Sequence, residues 1–177
     1  MTSKIVLISG SLRARSTNSA VIDAAAACAP PGFAAVVFSG LAGLPHFNPD
    51  EDRDPVHTSV ANMRRVLGEA SAVMLSVPEY AGAMPGSLKN LIDWTVSAGS
   101  FYEKPVGWIN PAGKHRAQDT YRGLRIVLDR AGAKLVDRAC IDIDVGPDAR
   151  DDEGRIVSAD IRDALAEAMR QLAVGAA

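Results

Sequence analysis

The chain of 177 residues lacks a strong charge of either sign, a long hydrophobic run and a cluster of metal-binding residue types. Its formal net charge is −2, so it offers no basic face of the kind that neutralises nucleic-acid phosphates. No apolar run reaches the roughly 18 residues that a membrane span requires. We therefore expect neither a nucleic-acid partner nor a membrane partner.

Cysteine and histidine are also scarce, since the chain has two cysteines and three histidines. Cys28 and Cys140 are far apart, and His46, His57 and His115 have no acidic partner at metal-ligand spacing. We therefore predict no metal site. Two reduced cysteines, and an apolar strand near the first residue in place of a secretory signal, favour a cytoplasmic protein.

The sequence does contain a regular alternation of short apolar runs and helical patterns, which is typical of a parallel α/β sheet. The predicted strands are residues 5–9, 34–39, 72–77, 106–110 and 135–143. The predicted helices are residues 17–29, 56–70, 86–98, 117–131 and 158–174. Most of the strands are apolar without alternation, as in strands covered on both faces, whereas the last one alternates and is expected at an edge. The pattern predicts one domain over residues 1–177, with a doubly wound parallel five-stranded sheet and helices on both faces.

In such a fold, ligands bind at the carboxyl ends of the strands, where the strand order reverses. The loops after the first, third and fourth strands are residues 10–16, 78–85 and 111–115. We expect these three loops to converge on one cleft.

The first of these loops has the composition of an anion site. It leads into a helix, whose first N–H groups and positive dipole end favour an anion. It is neither a Walker A loop nor a Gly-x-Gly-x-x-Gly turn, and one glycine with many hydroxyls suits a terminal monophosphate. Neutral donors are available from Ser11, Ser16, Thr17 and Asn18, and a charged donor from Arg13 or Arg15.

The segment of residues 78–90 consists of the second loop and the start of the helix that follows it. It contains two prolines and two glycines, which favour a rigid and irregular backbone. Such a loop can present backbone donors and acceptors to a flat heterocycle, and Tyr80 can supply a ring face or a hydroxyl. Taken alone, the loop is equally consistent with a turn that only starts a helix. Beside a phosphate pocket, it indicates a ligand with a phosphate at one end and a planar ring at the other.

Together these segments resemble the NADPH-dependent FMN reductases, a flavodoxin-like group that includes chromate and quinone reductases and azoreductase relatives. The matching segments are Gly10-Ser11-Leu12-Arg13, Pro78-Glu79-Tyr80, Pro85-Gly86-Ser87-Leu88-Lys89-Asn90 and Arg116-Ala117-Gln118. The resemblance implies strand order 2-1-3-4-5 and FMN as the cofactor. It also implies an enzyme that passes hydride from NADPH or NADH through the flavin to a small acceptor such as a quinone, free flavin or a similar oxidant. A homodimer or homotetramer is expected.

The resemblance also implies roles for individual residues. The ribityl phosphate would be held by Ser11, Arg13, Ser16, Thr17 and Asn18. The isoalloxazine ring would be bordered by Pro78, Glu79, Tyr80, Ala81 and Gly82, and the third loop would contribute Asn110, Gly113 and Lys114. Lys114, or a backbone N–H of Gly113 or Lys114, is expected near N1 and the C2 carbonyl of the ring, although Lys114 is equally consistent with a solvated loop lysine. No catalytic acid–base side chain is predicted.

Two departures from the family pattern lie at the ring end. Ala81 stands where the family usually has Asn, and residues 110–115 lack the usual Gly-Gly pair. They motivate an alternative hypothesis, a flavin-binding redox sensor with little turnover. A phosphate-ligand binding protein without flavin is a third.

Overall fold

The computed structural model describes residues 2–176 and has a single all-parallel sheet of five strands. The strands are β1 (Ser3–Ser9), β2 (Phe33–Val37), β3 (Ala72–Ser76), β4 (Pro105–Asn110) and β5 (Lys134–Asp142). Their order is β2-β1-β3-β4-β5, which confirms the predicted topology. The alternating last strand, β5, lies at an edge as predicted.

Helices cover both faces of this sheet. They are α1 (Thr17–Ala27), α2 (Thr58–Gly68), α3 (Gly86–Thr95), α4 (Gln118–Arg130) and α5 (Ala159–Gly175). Short 3₁₀ turns occur at Leu41–Gly43, Pro49–Glu51 and Pro147–Ala149. The apolar core on one face is closed by α1 and α5, and the core on the other face by α2, α3 and α4. Among residues 2–176, no helix is both long enough and apolar enough to cross a membrane.

The central strand β1 shows why its sequence is apolar without alternation. Val6 and Ile8 point into one core, Ile5 and Leu7 point into the other, and all four are fully buried. Every residue of β3 is buried as well. A strand with helices above and below it has no solvent face, so alternation would place polar groups in a core.

Three predicted helix starts are wrong by one or two residues for local reasons. The fifth helix was expected from Ser158 but begins at Ala159, because the Ser158 hydroxyl accepts the Ile161 N–H and caps the helix. The second helix was expected from residue 56 but begins at Thr58, because the His57 ring nitrogen accepts the Ser59 N–H and caps the helix. The fourth helix was expected from Ala117 but begins at Gln118, because Ala117 has a left-handed backbone with φ of 55°.

A buried hydroxyl joins the carboxyl ends of β3 and β4. The Tyr121 hydroxyl on α4 accepts the Val77 N–H at 3.1 Å and lies 2.8 Å from the Ile109 carbonyl oxygen, to which it can donate. Burial raises the pKa of Tyr121 above its ordinary value, so the hydroxyl stays protonated and able to donate. This side chain therefore fixes the starting points of the second and third loops.

We predict that Tyr121→Phe lowers the free energy of unfolding by about 1–3 kcal/mol, because it leaves the buried Val77 N–H without an acceptor. Urea unfolding followed by circular dichroism measures the change. Tyr102→Phe is the matched control, since the Tyr102 side chain is 69% exposed. Equal stability of the two variants would contradict a structural role for the Tyr121 hydroxyl.

Candidate functional site

The carboxyl ends of β1 and β3 are held together by hydrogen bonds beyond the sheet. Ser9 and Ser76 are partners in the parallel register, and the Gly10 N–H donates to the Ser76 carbonyl oxygen at 2.8 Å. The Ser76 hydroxyl donates to the Asn18 side-chain oxygen at 2.9 Å. These bonds place the start of α1 directly over the end of β3.

The loop from Gly10 to Asn18 leaves donors open at the start of α1. The Ser16 hydroxyl caps the helix by accepting the Asn18 N–H at 3.1 Å. Within residues 2–176, no hydrogen bond uses the backbone N–H groups of residues 14–17. The structure therefore contains a cluster of free N–H donors at a helix N-terminus, which fits a phosphate.

The structure separates the two arginines that the sequence left as alternatives. The Arg15 guanidinium donates to the backbone carbonyl of Asp152, on the far side of the loop. Arg13 is exposed, and within the described residues its side chain forms no hydrogen bond or ion pair. Its own N–H donates to the Ser11 hydroxyl at 3.3 Å, which links Ser11 and Arg13 within one turn. Arg13 is thus the arginine of this loop whose whole guanidinium is free of hydrogen bonds and ion pairs to the described residues, whereas Arg15 commits part of its own to Asp152.

A groove of about 380 Å³ runs along the carboxyl edge of the sheet beside this loop. That volume lies within the range of about 300–1,000 Å³ found for small-molecule sites. The predicted site residues that line the groove are Thr17, Asn18, Pro78, Glu79 and Asn110. The second and third loops therefore meet at one groove, and the start of α1 joins them there, whereas residues 10–16 of the first loop do not line it.

Tyr80, Ala81 and Gly82 form a tight turn instead of lining that groove. Tyr80 and Ala83 exchange backbone hydrogen bonds at 2.9 and 3.1 Å across a two-residue loop. Both residues of the loop have positive φ, 52° for Ala81 and 77° for Gly82, which is the pattern of a type I′ turn. The turn is exposed, and 54% of Tyr80 is accessible. The structure thus places these three predicted residues on a projecting rim.

At the start of the third loop, the polar atoms of the Asn110 side chain form hydrogen bonds with protein groups. Its amide donates to the Asp142 carboxylate at 2.7 Å and to the Arg116 carbonyl at 2.9 Å, and its oxygen accepts the Ala112 N–H at 3.2 Å. Asn110 is completely buried, so its side chain shapes the loop.

The other two predicted residues of this loop differ from each other. Gly113 is buried with φ of 90°, and a Cβ atom there would lie 3.3 Å from the Asp144 side chain. Lys114 is exposed, and neither Gly113 nor Lys114 is among the residues that line the groove. Within residues 2–176, the backbone N–H groups of both residues are free of hydrogen bonds.

Sequence reasoning missed two charged residues of the groove, Arg116 and Asp144. Arg116 was visible as part of the Arg116-Ala117-Gln118 segment but was not assigned a place in the site. Asp144 follows the alternating run of β5 and carried no motif. Arg116 brings a positive charge to the groove beside Glu79, whose carboxylate accepts the Thr120 hydroxyl at 3.1 Å.

Comparison with known proteins identifies the family. Residues 3–146 match the family model described as NADPH-dependent FMN reductase. The chain belongs to this family. Membership confirms the predicted class of enzyme, an NAD(P)H-dependent reductase with FMN as its cofactor.

The names of individual proteins that are similar to this chain agree with the family assignment. An NAD(P)H-dependent FMN reductase of Pseudomonas aeruginosa is 29% identical over 175 residues, which cover 96% of this chain and 92% of the relative. A 2-hydroxy-1,4-benzoquinone reductase of a Burkholderia species is 36% identical over 94 residues, 53% of this chain and 50% of the relative. The solved structure of FerB, a flavoenzyme NAD(P)H:(acceptor) oxidoreductase from Paracoccus denitrificans, has the same fold, with a TM-score of 0.82 at 22% identity over 97% of this chain and 98% of FerB.

The turn at Ala81 yields a prediction about this reductase. Ala81→Asn should raise the free energy of unfolding by about 0.5–1 kcal/mol, because Asn tolerates the left-handed backbone that Ala adopts at a cost. Denaturant unfolding measures the change. Ala83→Asn, in the same turn but outside the two positive-φ positions, should give no gain. A gain from Ala83→Asn as large as that from Ala81→Asn would contradict the explanation.

Proposed function

We propose that FMN binds with its phosphate in the loop from Gly10 to Asn18 and its ring at the adjacent groove. The observation that carries the assignment is the set of free N–H groups of residues 14–17, next to the unpaired Arg13. In this arrangement the hydroxyls of Ser11, Ser16 and Thr17 add neutral donors. Asn18 acts by holding the start of α1 against Ser76.

At the ring end, Pro78 and Glu79 form one wall of the proposed site, and the Tyr80-Ala81-Gly82 turn forms its rim. The free N–H groups of Gly113 and Lys114 are the donors proposed for the pyrimidine end, on a loop that Asn110 holds in shape. Bound FMN supplies the exchange of hydride with both substrates, so no acid–base side chain is required. The task of the chain is to bind, to orient and to leave one face of the groove open.

The proposed substrates are NADPH or NADH as donor and a small oxidant, of the quinone type, as acceptor. Several relatives that align with about half of this chain are named quinone reductases, one of them from Escherichia coli. Pro111, the first residue of the third loop, lines the groove and has no N–H to donate to a ligand. We further propose that residues 1–177 act as one domain in the cytoplasm, where Cys28 and Cys140 remain as free thiols.

The first test of this proposal is titration of the protein with FMN and with riboflavin. Arg13→Ala should weaken FMN binding by about 1.5–3 kcal/mol, roughly 10- to 150-fold, and leave riboflavin unchanged, because only FMN carries the phosphate. Flavin fluorescence quenching measures both affinities.

Arg138→Ala is the control, since Arg138 is an exposed residue of β5 outside the groove. Equal weakening of both flavins by Arg13→Ala would place Arg13 outside the phosphate site. The FMN-loaded protein should also oxidise NADPH with an added benzoquinone at one turnover per second or faster, roughly as typical enzymes do. Failure to bind FMN at high micromolar concentration would refute the proposed function.

We propose that the protein assembles as a homodimer through the side of the sheet that carries α3 and α4. Exposed apolar side chains occur there at Val96 (62%), Tyr102 (69%) and Ile126 (58%). Apolar side chains on one side of a molecule favour burial against a second copy.

Sedimentation velocity tests the dimer. The unmodified protein should sediment as a dimer and Ile126→Glu as a monomer, because a buried unpaired charge opposes association. Val174→Glu changes an equally apolar and exposed residue on α5, on the opposite face, and should leave the dimer intact. A monomeric unmodified protein, or a dimeric Ile126→Glu variant, would refute the interface.

A further inference from the structure

The segment between β5 and α5 forms a small hairpin, residues 149–157. The Val157 N–H donates to the Ala149 carbonyl at 2.9 Å, and the Asp151 N–H donates to the Arg155 carbonyl at 3.0 Å. The Asp151 carboxylate accepts both the backbone N–H and the Nε–H of Arg155, at 2.8 and 2.7 Å. These bonds give the hairpin a defined shape at the carboxyl edge of the sheet.

Arg150 of this hairpin has a buried polar atom without a hydrogen-bond partner. Its Nε is buried, and it is the one buried side-chain nitrogen or oxygen atom without a partner in the part of the chain that the structure describes. Within the same residues its guanidinium forms no ion pair. A half-buried charge without a partner is costly, and an anionic ligand would remove that cost.

A second arginine faces the same space. A cavity of about 430 Å³ is lined by Arg15, Pro147, Arg150, Asp151, Asp152 and Gly154. Arg15 donates to the Asp152 carbonyl, which pins the end of the first loop against the hairpin and leaves further guanidinium N–H groups free.

The balance of charge in this cavity is positive. The Asp151 carboxylate is paired with Arg155, and Asp152 is exposed to solvent. Two guanidinium groups therefore face one unpaired carboxylate. Two arginines at one cavity are the usual recognition elements for a phosphate monoester, which carries nearly two negative charges at neutral pH.

The cavity adjoins the groove proposed for the flavin ring. Thr17 lines the groove and Arg15 lines the cavity, while Val145 lines the groove and Pro147 lines the cavity. One residue separates the members of each pair, so their Cα atoms lie at most about 7 Å apart. The groove and the cavity are therefore neighbours along two stretches of backbone, residues 15–17 and 145–147.

We propose that Arg15 and Arg150 bind the 2′-phosphate monoester of NADPH and so make this reductase prefer NADPH to NADH. The inference rests on the proposed function, because it assumes that the dinucleotide docks at the groove. The flavin phosphate has its own donors at residues 14–17, so this second pair of charges is available to a second phosphate. The family match ends at residue 146, and the hairpin follows it.

The test measures binding of NADP⁺ and NAD⁺ to the FMN-loaded protein by isothermal titration calorimetry. Arg150→Gln should weaken NADP⁺ at least about tenfold and change NAD⁺ less than twofold, the scale of one lost charged contact. Arg150→Lys keeps the positive charge but lacks the forked donors of a guanidinium. Its affinity for NADP⁺ should lie between those of the unmodified protein and Arg150→Gln. Arg138→Gln removes an exposed arginine of β5, outside the hairpin and the cavity, and should change neither affinity.

Three results would overturn the proposal: equal weakening of NADP⁺ and NAD⁺, no change in either, or weakening of FMN relative to riboflavin with NADP⁺ unaffected. The last result would assign the cavity to the flavin phosphate. Thermal unfolding of each variant shows whether it is folded. If Arg150→Gln does not fold, Arg150→Lys is compared with the unmodified protein in its place. If the unmodified protein binds no FMN and still prefers NADP⁺ through Arg150, the proposed function fails and the 2′-phosphate site stands.

Discussion

The parallel pairing of β1, β3 and β4 is the constraint on which the site depends. Its register brings Ser9, Ser76 and Ile109 to the same level of the sheet, so the three following loops start side by side. That register is strongly fixed because both faces of these strands are buried, and a slip of one residue would exchange their side chains between the two cores. The position of the proposed anion site is therefore a consequence of hydrophobic burial. Its chemistry comes from the loops.

A second set of interactions, just beyond the strand ends, gives the loops their shapes. Tyr121 joins the ends of β3 and β4, Asn18 holds Ser76, and Asn110 joins β4 to Asp142 of β5. All three side chains are buried, and the bonds named here lie within the protein, so each is stronger than an exposed one and costly to break. Such bonds orient the loops whose donors a ligand would meet.

The strand order followed from the resemblance to a known family, and the alternation of strands and helices followed from local patterns. The anion loop stays a prediction. The sequence did not separate Arg13 from Arg15, since that choice depends on a contact between Arg15 and Asp152, which is 137 residues away in the chain. For the same reason the local sequence did not show that the Asn18 oxygen accepts the Ser76 hydroxyl or that the Asn110 amide donates to Asp142, since these partners are 58 and 32 residues away in the chain. The start of α4 was wrong because a left-handed Ala117 has no sequence signal.

The two departures from the family pattern act at different places in the structure. Ala81 lies in an exposed turn outside the groove, so the absent amide affects the turn and not the wall of the groove. The third loop lacks the Gly-Gly pair, yet Asn110 closes it by bonding to Arg116 and Asp142, and it leaves the N–H groups of Gly113 and Lys114 free. A shorter loop held by one buried amide can thus present the same kind of backbone donor as a glycine-rich one. The altered residues therefore change how the proposed ring end is held in shape, while the proposed phosphate end has open N–H groups and an unpaired Arg13.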